Sequence, residues 1–128
     1  MRNFMELKVW QKAHQLVLEV YYITREFLLE ERYGIVSQIR RSAASIPANI
    51  AEGCGRESDR EFSHFMNIAS GSACETEYHI LLAHDLNFLQ DDAYTELIQQ
   101  VNEIKRMLRS FIKYLKPKTK TQHQLPKT

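Results

Sequence analysis

The side chains of this 128-residue chain with chemistry to offer are five histidines, two cysteines and 17 lysines and arginines. Glu61-Phe62-Ser63-His64 has the Glu-x-x-His spacing that di-iron helical bundles use on two of their helices. Only one copy exists, because the residues three before His14, His79 and His84 are Gln11, Thr76 and Leu81. Glu61 also suits a helix-capping role, and Glu75 with His79, four apart, reads as a surface pair. Cys54 and Cys74 form no C-x-x-C and read as small packing residues. Gly53-Cys54-Gly55-Arg56 ahead of Ser58 offers a phosphate cradle with Arg56 and Arg60, against the plainer reading of a glycine-closed loop. There is no nucleophile elbow, Walker loop or dinucleotide fingerprint. The expectation is a protein with no metal, cofactor or catalytic site, and hence no enzyme.

The cations make the stronger pattern. Residues 1–104 hold 9 Lys/Arg and all 16 Asp/Glu, whereas residues 105–128 hold 8 Lys/Arg and no acid, so a net charge of +1 conceals a strong polarity along the chain. On a helical wheel Lys105, Arg106, Arg109, Lys113 and Lys116 share an arc of about 100°, opposite an apolar seam. Lys118 and Lys120 continue it. Such a stripe suits phosphates; the plainer reading is a solvated face with a tail. Arg40 and Arg41 either extend this nucleic-acid-binding patch or make ion pairs with acids on the first or third helix.

Four helices must position these groups. The first runs from about Leu7 to Phe27 on Val9, Ala13, Leu16, Val20, Ile23 and Phe27. The second spans roughly Glu31 to Glu52 on Ile35, Ile39, Ala43, Ile46 and Ile50. The third opens at Ser58-Asp59-Arg60-Glu61, a capping box, and continues to about Leu86. The fourth begins near Asp91 and Asp92 and carries an a/d seam from Tyr94 to Leu115. Pro47 predicts a kinked second helix rather than two helices, with a hinge as the functional alternative, and Gly53 and Gly55 are placed to end it in left-handed geometry. Ala69-Ser70-Gly71-Ser72-Ala73 reads as a close-contact face. Connections this short force neighbours antiparallel. The expected fold is all-α, an antiparallel up-down-up-down four-helix bundle over 1–116 with a basic polar tail over 117–128.

The first helix has more apolar surface than one bundle uses. Trp10, Val17, Leu18, Tyr21 and Tyr22 lie beyond its core stripe, which points to a homo-oligomer with these residues in the interface. No apolar run is long enough to span a bilayer and the first residues lack a secretory h-region, so no membrane partner and a cytoplasmic location are expected.

The strings "QIRRSAASIPANIAEGCGR" (38–56), "LKVWQKA" (7–13) and "EFSHFMNIASGSACETE" (61–77) resemble the bacterial four-helix-bundle proteins of ribosomal RNA intervening sequences, over about residues 5–115. The resemblance implies a cytoplasmic bundle assembled as a ring-shaped homopentamer. It also implies similarity in fold to the accessory proteins of diversity-generating retroelements, whose pentamer binds nucleic acid and a reverse transcriptase through a basic surface. The family has no established catalytic residues. The expected function is therefore non-enzymatic binding of structured RNA or DNA by an oligomer, with a protein-interaction scaffold for a nucleic-acid enzyme as the alternative.

Overall fold

The structure, a computed structural model, describes residues 2–117. A 3-10 turn over Phe4–Glu6 leads into α1 (Lys8–Thr24), and a second over Leu29–Glu31 precedes α2 (Ile35–Cys54); α3 (Asp59–Asp85) and α4 (Asp91–Leu115) follow. Among the described residues there is no strand. α1 packs on α2 and α4, and α3 packs on the same two, so α1 stands diagonal to α3 and α2 diagonal to α4. Side-chain contacts give the directions: Arg40 of α2 meets Thr24 of α1, Ser42 and Ser45 meet His79 and Ser72 of α3, and Lys105 of α4 meets Glu77. All neighbours are antiparallel, which is the expected up-down-up-down bundle. Of the 117–128 tail only Pro117 lies within the described residues.

The core comes from the stripes the sequence carries. Leu16, Ile39, Ile46, Ile50, Met66, Ile80, Leu97, Ile104 and Leu108 are fully buried. Each such side chain favours the folded state by about 1.5–3 kcal/mol relative to exposure. α3 starts where the capping residues set it, with Ser58 Oγ accepting from the Glu61 amide at 3.1 Å. The return bond from the Glu61 carboxylate is not formed among the described residues, so half of the capping box is present. α3 stops in a Schellman arrangement: Asn87 takes φ 68°, Phe88 N–H donates to Ala83 at 2.8 Å and Asn87 N–H to His84 at 2.9 Å. The turn is clasped to α4 by His84 Nε2 against Asp91 Oδ1 at 2.7 Å.

The first connection differs from expectation. α1 ends at Thr24, yet Phe27 remains half-buried against Phe88, with ring centroids 5.4 Å apart, so apolar spacing outlasts the helix. α2 begins at Ile35, after Gly34 has turned the chain with φ −102° and ψ −113°. Pro47 is buried inside one continuous helix rather than dividing it. The amide it lacks would have bonded Ala43, a loss of about 3 kcal/mol if nothing offset it. Side chains around it supply other bonds: Asn49 Nδ2 donates to the Ser45 carbonyl at 2.8 Å, and Ser45 Oγ meets Ser72 Oγ of α3 at 2.9 Å.

Neither Gly53 nor Gly55 adopts the left-handed geometry expected of a helix stop. Gly55 caps α2 at φ −85°, and no glycine has positive φ among the described residues. Gly53 serves packing instead, because a β-carbon there would sit 2.7 Å from Phe62 Cδ1 and 3.2 Å from Phe65 Cβ. Gly71 reverses the expected close contact, since a β-carbon there meets nothing within 4 Å. Its neighbours Ala69, Ser72 and Ala73 are the ones that face inward. Gly53→Ala is therefore expected to destabilise the fold by about 1–3 kcal/mol through overpacking. Gly71→Ala should stabilise it by about 0.5–1 kcal/mol through helix propensity. Urea unfolding of the two variants checks both signs.

Candidate nucleic-acid interface

α4 buries Leu97, Val101, Ile104, Leu108 and Leu115 along its seam, and this fixes which side chains of its last turns face out. Arg106, Arg109, Lys113 and Lys116 are exposed. Among the described residues none of the four lies within ion-pair distance of a carboxylate. Lys105, at the edge of the same arc, is half-buried and its Nζ lies 2.6 Å from Glu77 Oε1. Its charge is therefore committed to α3, which only the register between the two helices reveals. Lys118 and Lys120 lie outside the described residues.

Alternation of the helices brings the start of α1, the end of α2 and the start of α3 to this same end. Lys8 comes with them, as does Arg2, whose guanidinium stands over the rings of Phe62 at 5.0 Å and Phe111 at 6.0 Å. Arg56 is paired with Glu52 and stacked 4.8 Å over Phe65. Asp85, Asp91, Asp92 and Glu96 collect around the α3–α4 turn at the opposite end. Acids reach the first end too, Glu52, Glu57, Asp59 and Glu61 among them, with Asp59 sharing a depression with Lys116, so the lengthwise separation is one of balance, and the outward row of α4 stands at the end richer in cations.

The structure does not bring Arg40 and Arg41 to that pole, because they lie in the first half of α2, beside the last turn of α1 at the other end of the bundle, on the helix diagonal to α4. Arg40 Nε donates to Thr24 Oγ1 at 2.9 Å and Nη2 to the Tyr21 carbonyl at 3.4 Å, while the guanidinium lies 4.5 Å over the Tyr21 ring. It secures the last turn of α1 to α2, through a hydroxyl, a carbonyl and a ring rather than an acid. Arg41 is exposed.

Of the α1 residues singled out for an interface, Trp10 and Val17 are half-buried against the core, Trp10 stacking on His14 at 4.9 Å. Leu18, Tyr21 and Tyr22 remain exposed, at 51%, 44% and 64%. A second apolar surface went unread in the sequence: Tyr78 and Leu81 of α3 stand out beside Tyr94 and Ile98 of α4, with Cys74 in the same groove.

The other candidate chemistries find no assembled site. Glu61 and His64 are both exposed, and among the described residues no three His, Cys, Asp or Glu side chains are grouped to hold a metal ion. The amides of the Gly53–Arg56 stretch are spent on its own turn, Gly55 N–H on Glu52 and Arg56 N–H on Gly53, so they do not form a phosphate cradle. Burial pushes the Cys54 thiol up from its ordinary range, which keeps it protonated and unreactive. Cys74 is exposed.

His79, expected on the surface with Glu75, is buried. Its Nδ1 lies 3.1 Å from Ser42 Oγ, which receives the Thr76 hydroxyl at 3.0 Å. Together with Ser45 and Ser72 these groups form a polar ladder between α2 and α3. Small polar residues recur at helical spacing on both helices, but only an antiparallel register makes them meet. Ser42 is 3% exposed, so the serine and imidazole are sealed from any substrate and act in packing.

Fold and surface together define a small antiparallel four-helix bundle with a cationic pole and no assembled catalytic centre among its described residues. Residues 5–110 match the family model of the 23S rRNA-intervening sequence protein, and the chain belongs to that family. It is similar in structure to a protein of unknown function of the S23 ribosomal protein family from Bacteroides thetaiotaomicron VPI-5482, with a TM-score of 0.75 and 31% identity. That match covers 82% of this chain and 98% of the other. No curated protein matches the chain. Among the described residues no helix is long and apolar enough to cross a membrane.

Burial holds the His79 imidazole below its ordinary value, Glu75 opposing and Arg41 adding to the effect. The unfolded chain then binds the extra proton first as pH falls, so this stabilisation is complete above about pH 6.5 and is lost as pH drops through the lower folded value. The melting temperature is expected to fall between about pH 7 and 5, above the carboxylate range. His79→Gln should flatten that slope while lowering stability at neutral pH; thermal melts across the range check it.

Proposed function

We propose that the protein is a non-enzymatic, cytoplasmic homo-oligomer that binds RNA, or another nucleic acid, electrostatically through the basic face of α4. The observation that carries this reading is the row Arg106, Arg109, Lys113 and Lys116, exposed and without a carboxylate partner among the described residues. Cations left unpaired on one face lose little when phosphates replace water and counterions around them, and the released counterions drive binding. Such contacts position a backbone and read sequence poorly. Arg40 is occupied elsewhere and is not part of the surface; Arg41, on the diagonal helix, contributes at most to a separate site.

Self-association is supported by two different apolar surfaces on diagonal corners, Leu18 with Tyr22 on α1 and Tyr78 with Leu81 beside α4. Unlike patches that meet head to tail generate a ring where the rotation between copies closes and a filament where it does not; the assembly proposed is the closed ring. Five copies is the number the family resemblance implies. A ring multiplies the cationic row, so the phosphates engaged exceed what one protomer reaches, and avidity follows without new contacts.

Anisotropy of a labelled structured RNA should show binding that weakens by roughly a thousandfold or more between 50 and 200 mM salt if six or more phosphates are engaged. A triple variant Arg106→Glu, Arg109→Glu, Lys113→Glu should abolish it. Absence of binding at low salt would instead leave the scaffold reading, in which the ring recruits an acidic protein partner. By light scattering, Leu18→Glu with Tyr22→Glu should reduce the mass to that of a protomer; a wild-type chain already at protomer mass would overturn the oligomer.

A further inference from the structure

The cationic row begins at an apolar recess. Where the first turn of α1 lies against the last turns of α4, Leu7, Met107 and Phe111 line an open depression of about 430 Å³. Lys8 and Arg106 stand at its lip with the Ser110 hydroxyl, and none of its lining residues is acidic. Among the described residues neither Lys8 nor Arg106 has an ion-pair partner. A greasy floor under two unpaired cations is complementary to a ligand with an apolar body and an anionic edge. The size lies within the range of small-ligand sites.

The surroundings choose among such ligands. From the lip, Arg106, Arg109 and Lys113 follow one another along α4 at about one helical turn, near 5.4 Å apart, so the site continues into a phosphate track rather than closing over its occupant. An isolated acyl chain would use the floor and leave that track empty, whereas a nucleic-acid strand uses both. The first turn of α1 adds to the lip: its N-cap, Leu7, offers no side-chain acceptor, and the turn contains a lysine and no acid.

We propose that this recess receives an unpaired base of the bound RNA, the base resting on Met107 and Phe111 while the adjoining phosphates engage Lys8 and Arg106. The inference rests on the nucleic-acid reading above and sharpens it. Paired bases keep their faces stacked and cannot enter, so the protein prefers loops and single strands to duplex. Unstacked bases settling on apolar and aromatic side chains are the usual means by which proteins distinguish single-stranded from paired RNA.

Three labelled RNAs with equal phosphate counts test it by anisotropy at one salt concentration: a hairpin with an unpaired purine loop, the same hairpin with abasic loop sites, and a blunt duplex. The wild-type protein is expected to bind the first roughly tenfold or more tighter than the other two. Ser110→Leu fills the recess and keeps every cation; it should remove that preference without changing the affinity for duplex. Arg106→Met should weaken all three. Equal affinity of the wild-type protein for the three RNAs would overturn the recess while leaving the electrostatic reading intact. So would an unaltered preference in a folded Ser110→Leu variant, or a change in its oligomeric mass, which would make the recess a subunit contact. Failure of all three RNAs to bind at low salt would instead overturn the nucleic-acid reading itself.

Discussion

The close packing of α2 against α3 is the constraint from which the rest of the bundle is hung. At Gly53 the helices approach so nearly that a β-carbon has no room beside Phe62, and further along the contact the space is filled by hydroxyls and one imidazole rather than by branched side chains. Buried polar groups are tolerable only when each finds a partner, and here every buried side-chain nitrogen and oxygen among the described residues does. Because those pairings have direction, they fix the register of the two helices more narrowly than an oily contact would. α1 is then fastened to this frame through Arg40, and α4 through Lys105 and the clasp of His84 on Asp91.

Alternation then does electrostatic work. A chain whose cations crowd its last turns, folded up-down-up-down, places them beside the first turn of α1 and far from the acids of the α3–α4 connection. Lys113 and Lys116 lie at the C-terminus of α4, where the backbone carbonyls favour positive charge, so that end of the row is favoured in the protomer as well as attractive to phosphate. A molecule polarised in this way orients in the field of a polyanion before contact, which speeds encounter more than it raises affinity.

Much of this was legible in the residues. The capping serine at Ser58, the paired aspartates at Asp91 and the seam of α4 are local signals, complete within a few positions, and the structure follows each of them. The end of α1 and the start of α2 fall inside the expected bounds because burial continues where helix does not: Phe27 keeps the apolar rhythm while the backbone has already turned. The glycines were misread for a related reason, since a helix stop and a helix crossing both require glycine and only the neighbouring helix distinguishes them.

Residues whose meaning depends on a partner far along the chain were beyond a linear reading. Nothing near Lys105 announces Glu77, nothing near His79 announces Ser42, and the recess beside Arg106 exists only because Leu7 is brought to α4. The resemblance to a family supplied the architecture these local patterns already favoured; it did not reveal which cations were free.

The two cysteines carry a practical consequence. One thiol is sealed in the core with its acidity suppressed, and the other stands in the outer groove beside Tyr78 and Ile98. The native chain therefore possesses a single addressable attachment point for a dye or spin label, on a corner diagonal to α1, and needs no engineering to carry one. A reporter fixed there looks outward onto whatever the groove meets, so the molecule supplies its own gauge of occupancy on that flank.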